Sequence, residues 1–249
     1  MRTVKITLEY DGTGFNGWQI QAKPNRTVQG EIESALRHIF KKGVRCIGSG
    51  RTDSGVHALG QVAHFKVATR MNPEEIQKAM NSNLPGDISV LNVAFAKESF
   101  HAQFSAKRKT YGYVILNRPT ASALERNRCW HIPQKLNLAL MRREAQVLVG
   151  RKDFRAFMAS DPAGRSTEKD TIRRVTRLTF RRKGNHVILE IEANGFLYKM
   201  VRNITGTLVD IGLNRLPRGA MKDLLRRKNR VFAGKTAPPQ GLFLIRAEY

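Results

Sequence analysis

Residues 44–67 read Val-Arg-Cys-Ile-Gly-Ser-Gly-Arg-Thr-Asp-Ser-Gly-Val-His-Ala-Leu-Gly-Gln-Val-Ala-His-Phe-Lys-Val. The apolar spacing predicts a short strand near Val44–Ile47 and a second at Gln61–Val67, with a glycine-bracketed loop held between them. That loop carries one carboxylate, Asp53, two residues after Arg51, in a chain of formal net charge +24. Coulomb attraction in so basic a setting should keep the acid ionised, and hence nucleophilic, near neutral pH. The alternative is an Asp-Ser-Gly turn, in which the side chain bonds local backbone and the glycine takes a positive φ. From these residues alone both readings stand.

Spacing removes two others. Gly50 and Gly55 fit the first six positions of a phosphate-cradling loop, but Val56 and His57 follow where that loop needs Lys and Ser or Thr. Gly48-Ser-Gly50 begins like a dinucleotide fingerprint, yet the third glycine falls at 55 and not 53.

The flanks give an α+β pattern. Val4, Ile6, Leu8 and Tyr10 alternate with polar residues, a half-buried strand that Asp11-Gly-Thr-Gly breaks. Asp11 reads as a turn residue. Thr27 suits the N-cap of a helix with Ile32, Ala35, Leu36, Ile39 and Phe40 on one face. Asn72, with Pro73, Glu74 and Glu75 behind it, opens a second helix, and Asn83-Leu-Pro-Gly turns into a strand at Ile88–Ala96.

The later sequence repeats the alternation. A strand is expected from about Lys109 to Leu116, then a helix after Asn137 with Leu138, Met141, Ala145 and Leu148, stopped by Gly150. A hairpin spans Arg173–Ala193 about Lys183-Gly-Asn185. Leu197, Val201, Ile204, Leu208 and Ile211 mark a helical stripe ending at Gly212, and Leu242–Ala247 a closing strand. Two α+β halves follow, 1–106 and 107–249, with helices covering antiparallel strands.

At 249 residues the chain can form one large or two modest domains, burying roughly 70–75% of its unfolded surface. No apolar run is long enough to span a membrane, and no signal-like core follows Met1. Cys46 and Cys129 are isolated, and the six histidines lack ligand spacing; a cytoplasmic protein without metal is expected. Charge is uneven. Residues 1–107 hold 14 Lys and Arg against 9 Asp and Glu, whereas 108–249 hold 30 against 11. Clusters at 107–109, 173–174, 181–183 and 226–228 lie within ordered-looking sequence. Each alone reads as a solvated face, but together they point to a phosphate-contacting surface and a nucleic-acid partner.

Seven stretches in order give the chain its resemblance to the tRNA pseudouridine synthase A family. They are Tyr10-Asp-Gly-Thr-Gly-Phe-Asn-Gly-Trp-Gln19, Gly48-Ser-Gly-Arg-Thr-Asp-Ser-Gly-Val-His57, Asn83-Leu-Pro-Gly-Asp-Ile88, Phe100-His-Ala-Gln-Phe-Ser105, Tyr111-Gly-Tyr113, Met200-Val-Arg-Asn203 and Ala237-Pro-Pro-Gln-Gly-Leu242. The departures are Ser54 where Ala is usual and Gln103 where Arg is common. The resemblance implies two similar halves forming a continuous, mostly antiparallel sheet flanked by helices.

It also implies isomerisation of uridine to pseudouridine in the tRNA anticodon stem-loop, at positions 38, 39 and 40, without cofactor or metal, by a homodimer. In that reaction the N1–C1′ bond breaks, the base turns, and C5 joins C1′. Asp53 is the implied catalytic carboxylate, and the resemblance leaves open whether it attacks sugar, attacks base, or acts as a base at the 2′ carbon. Tyr111 is placed near C5, Arg202 is expected to pair with Asp53, and Arg51 is expected to contact RNA beside the extruded nucleotide. Lys107, Arg108, Lys109 and Arg165 are candidate RNA contacts. Apart from the resemblance, Tyr111 reads as core on a face shared with Tyr113 and Ile115, and Arg202 as a surface arginine. Ser54 and His57 read as loop-shaping. The competing function is a non-catalytic RNA-binding or chaperone protein of the same fold.

Overall fold

A computed structural model describes residues 1–22, 25–160 and 170–249. The elements are, in order, β1 (Arg2–Tyr10), α1 (Val28–Phe40), β2 (Ile47–Gly48), β3 (His57–Val67), α2 (Pro73–Asn83), β4 (Ile88–Ala96), β5 (Arg108–Asn117) and β6 (Trp130–Ile132). They continue with α3 (Leu138–Gln146), β7 (Gly150–Asp153), β8 (Ile172–Lys183), β9 (His186–Ala193), α4 (Met200–Gly212), α5 (Ala220–Arg227) and β10 (Leu242–Glu248). The chain forms two compact units, one of Met1–Lys107 with Phe243–Tyr249 and one of Arg108–Leu242. Both are α+β, with mostly antiparallel strands and flanking helices.

In the first unit β1 pairs antiparallel with β3 and β4, and β10 runs parallel to β3. The alternation in β1 does what its period dictates: Val4, Ile6 and Leu8 are fully buried and Tyr10 nearly so. Helix α1 starts where Thr27 accepts the Gly30 amide, and α2 where Asn72 and Glu75 form a reciprocal capping box. Val28, Ile32 and Leu36 of α1 and Ile76 and Met80 of α2 complete the core. Phe40 meets Phe65 of β3 at 6.3 Å, tying α1 to the sheet.

Two boundaries differ from the sequence expectation. Strand β2 is confined to Ile47–Gly48, and β3 begins four residues early, at His57. Gly60 does not interrupt β3, because its role is close approach: a Cβ there would lie 2.5 Å from the carbonyl of Ile245 in β10.

In the second unit the strand order is β5-β9-β8-β7, all antiparallel, with β6 parallel along the end of β5. The β8–β9 hairpin closes through Gly184, whose φ of +57° the turn requires. Gly150, expected as a helix stop, instead opens β7, and α3 ends earlier, at Gln146. Helix α4 is not the one-faced helix its stripe predicts. It begins at Met200, leaving Leu197 ahead of it, and every residue except Arg202 is buried. Its polar side chains are satisfied internally: Asn203 donates to Phe157 O at 2.7 Å, Thr207 to Asn203 O at 2.7 Å, and Asp210 accepts the Lys235 amide at 3.1 Å. The short elements β6, β7 and α5 have no counterpart in the sequence reading.

Candidate active site

The Asp53 loop leaves β2 and enters β3, and a second segment, Tyr10–Trp18, holds it along its length. The Tyr10 hydroxyl lies 2.8 Å from the Thr52 hydroxyl in a buried contact. Trp18 N donates to Thr52 O at 3.1 Å, and Ser54 Oγ donates to Phe15 O at 3.1 Å. Gly12 N donates to His57 Nδ1 at 3.0 Å, which fixes the orientation of an imidazole stacked on Phe243 at 4.7 Å. On the other flank Ser49 Oγ donates to Gln61 Oε1 at 2.7 Å, and Gln61 Nε2 donates to Gly50 O at 2.9 Å.

Two glycines explain why this packing needs these residues. At Gly17, φ is +85° and a Cβ would stand 2.6 Å from Thr52 O; at Gly48 it would enter the Trp18 ring at 2.6 Å. The loop turns as expected, with Val56 N donating to Asp53 O at 3.1 Å and Gly55 at φ +77°. Asp53 itself is half-buried, while Arg51 and Ser54 are exposed. Asp11 is a turn residue that accepts from both the amide and hydroxyl of Thr13. The result is a tightly held mount for the loop that carries Asp53. The sequence reading named the loop but missed the mount; the clustering of Gly and aromatic residues at 10–18 was its available signal.

Tyr111 and Arg202 belong to the second unit. Tyr111 pairs with Ile191 across β5 and β9, is buried, and meets Phe196 edge-on at 5.1 Å. Its ring is packed as a core residue, as the face shared with Tyr113 and Ile115 predicts. Tyr113, two residues on, is fully buried and donates to Pro238 O at 2.7 Å. Burial pushes its hydroxyl pKa far up, partly opposed by the nearby Arg202 charge. A Cβ at Gly241 would strike the Tyr113 ring at 2.7 Å, so the 237–241 segment lies directly against this tyrosine.

Arg202 is not the solvent-facing arginine that its position beside Val201 suggests. It is half-buried, and its Nε donates to Ala237 O at 2.8 Å while Ala237 N donates to Arg202 O at 3.1 Å. Met200–Asn203 and Ala237–Leu242, remote in sequence, thus meet through reciprocal hydrogen bonds.

Of the candidate RNA contacts, Lys107 and Arg108 are exposed. Lys109 is half-buried, and burial, reinforced by Arg173, lowers its pKa. Arg165 lies outside the described residues. Among the described residues no group of three or more His, Cys, Asp or Glu could hold a metal ion, and no helix is long and apolar enough to cross a membrane.

The tRNA pseudouridine synthase family model matches residues 6–105 and 145–249. The chain is 47% identical over 249 residues to tRNA pseudouridine synthase A of Thermoanaerobacter sp. (strain X514), covering all of both proteins. It is 42% identical over 250 residues to the protein of that name from Caldicellulosiruptor bescii, again over both full lengths. Against that of Anaplasma marginale (strain Florida) it is 43% identical over 248 residues, or 98% of this chain and 99% of the relative. With that coverage, the chain belongs to the tRNA pseudouridine synthase family of isomerases.

Proposed function

We propose that this protein converts uridine to pseudouridine in the anticodon stem-loop of tRNA, at positions 38, 39 and 40, with Asp53 as the catalytic carboxylate. The observation that carries the proposal is the mount of the Asp53 loop. Bonds from Tyr10, Gly12, Phe15 and Trp18 to residues 52–57 hold one acid rigidly at a surface loop. A binding module has no need of that construction.

The reaction is an intramolecular exchange: the N1–C1′ bond breaks, C5–C1′ forms, C5 loses its proton and N1 gains one. No electrons enter or leave. The target base must first be extruded, costing about a few kcal/mol, which phosphate contacts from the basic residues 108–249 offset. Tyr111 is assigned to the C5 proton step, Arg202 to support of the carboxylate, and Arg51 to the RNA beside the extruded nucleotide. The resemblance supports these roles. It also supports a homodimer acting in the cytoplasm, for which sedimentation of the purified protein is the check on assembly.

The test is release of tritium from tRNA labelled at uracil C5. Release is expected with neither cofactor nor metal added. Folded, tRNA-bound protein that releases none, across several tRNAs carrying the target uridines, would establish the non-catalytic RNA-binding reading instead.

A further inference from the structure

We infer that the segment Arg226–Lys235, with the Phe232 ring at its tip, is a second RNA-binding surface that stacks a base between flanking phosphate contacts. This inference rests on the tRNA substrate proposed above. These ten residues hold Arg226, Arg227, Lys228, Arg230 and Lys235 and no carboxylate. Val231 is 83% exposed and Phe232 51%. Two large apolar side chains in water on a basic segment call for a partner that is anionic and has an aromatic face.

Order makes the exposure meaningful. Arg230 Nη2 donates to Asn203 Oδ1 and to Thr236 Oγ1, both at 3.1 Å. Gly234 N donates to Thr207 Oγ1 at 3.1 Å, and Lys235 N to Asp210 Oδ2 at 3.1 Å. Contact with α4 is so close that a Cβ on Gly206 would meet Lys235 O at 1.7 Å. The segment is therefore bolted to α4, and its Asn203 anchor is the residue after Arg202. The exposed pair sits beside the same helical turn as a residue assigned to the active site.

The chemistry of the tip is specific. The Arg227 guanidinium lies 4.8 Å from the Phe232 ring centroid, covering one side and leaving the rest of an exposed ring for a base. Three acids touch the segment: Asp210 at the Lys235 amide, Asp223 at Arg226 (3.2 Å) and Asp153 at Lys228 (3.2 Å). Even so, Lys222, Arg226, Arg227 and Lys228 outnumber them, and the surface stays positive. A single-stranded stretch of tRNA fits: phosphates on Arg226, Arg227 and Lys228, and one base on Phe232.

The experiment measures binding of an unmodified tRNA transcript across a salt series. Phe232→Ala should weaken binding about tenfold with the salt slope unchanged, and Phe232→Tyr should bind as the unsubstituted protein does. Arg227→Gln should lower the salt slope by about one. The inference is overturned if Phe232→Ala and Arg227→Gln both bind within about twofold of the parent at unchanged slope. It is equally overturned if Phe232→Ala leaves tRNA affinity intact but changes the oligomeric state, which would make the patch a surface for a second copy of this chain. Parent protein that binds tRNA without releasing tritium would sink the proposed activity while leaving these binding comparisons readable.

Discussion

The hydroxyls of Tyr10 and Thr52 share one buried hydrogen bond of 2.8 Å, one residue before Asp53. Burial drives the Tyr10 pKa far up, so the phenol stays neutral throughout the working range. The bond links the end of β1 to the loop, and its loss should be felt in position as well as stability. Tyr10→Phe strands the Thr52 hydroxyl in a buried setting, a cost of about 1–3 kcal/mol. For a chain of this size that means a melting temperature lower by about 2–12 °C. The turnover of tritiated tRNA should fall as well, at temperatures where the variant is fully folded. Full activity in a destabilised Tyr10→Phe protein would show that the mount serves stability alone.

Asp53→Asn changes the loop's chemistry while leaving its backbone bonds available, because Val56 N bonds the Asp53 carbonyl and not its side chain. Melting temperature and tRNA affinity should stay near those of the parent, and tritium release should drop by at least about a thousandfold. Parental turnover in this variant would reject Asp53 as the reacting carboxylate.

The fold was legible wherever chemistry is local. Strand β1 follows from the alternation of Val4, Ile6, Leu8 and Tyr10, and the helix starts follow from Thr27, Asn72 and Asn137, whose side chains bond amides three residues on. It was illegible where a partner lies far along the chain. The start of β3 at His57, four residues before the expected Gln61, includes Gly60, which Ile245 O approaches closely, and α4 looks one-faced until Phe157 O and the 234–235 amides satisfy its polar residues. At the site, the Asp53 turn could be read from its own residues. Its clamp by Tyr10–Trp18, and the seating of Arg202 on Ala237, are contacts across more than thirty positions that no spacing rule encodes.

His64 should give stability a pH dependence in the weakly acidic range. Its Nδ1 accepts the Ala102 amide at 3.2 Å, which requires an unprotonated nitrogen. Burial lowers its pKa below 6.5, and His101 and Lys66 add to this, against a backbone hydrogen bond to Ile47 that raises it. Below 6.5 the unfolded chain therefore takes up a proton that the folded ring resists. The stabilisation is complete above that pH and is lost as the pH falls through the lowered folded value. Urea midpoints measured from pH 8 to 5 should decline over this window, and the decline should be shallower in His64→Asn, whose side chain can still accept the amide. Equal slopes in the two proteins would remove His64 from the account.

Arg202→Lys tests whether the arginine matters for charge or for geometry. Arg202 is the one residue of α4 that is not buried, so a substitution there spares the packing of the helix. Lysine keeps the positive charge but has no Nε–H to donate to Ala237 O, where arginine makes a 2.8 Å bond with a planar group that cannot swivel. The backbone bond from Ala237 N to Arg202 O does not depend on the side chain and should persist. The variant should melt within about 2 °C of the parent, a shift corresponding to under about 1 kcal/mol. It should bind tRNA with similar affinity and turn over about ten- to a hundredfold more slowly, since small displacements of a positioned charge cost that much. Single-turnover tritium release at saturating protein separates the chemical step from binding. A lysine variant that runs at the parental rate would show that only the charge of Arg202 is used, and that its seat on Ala237 serves the 237–241 segment instead.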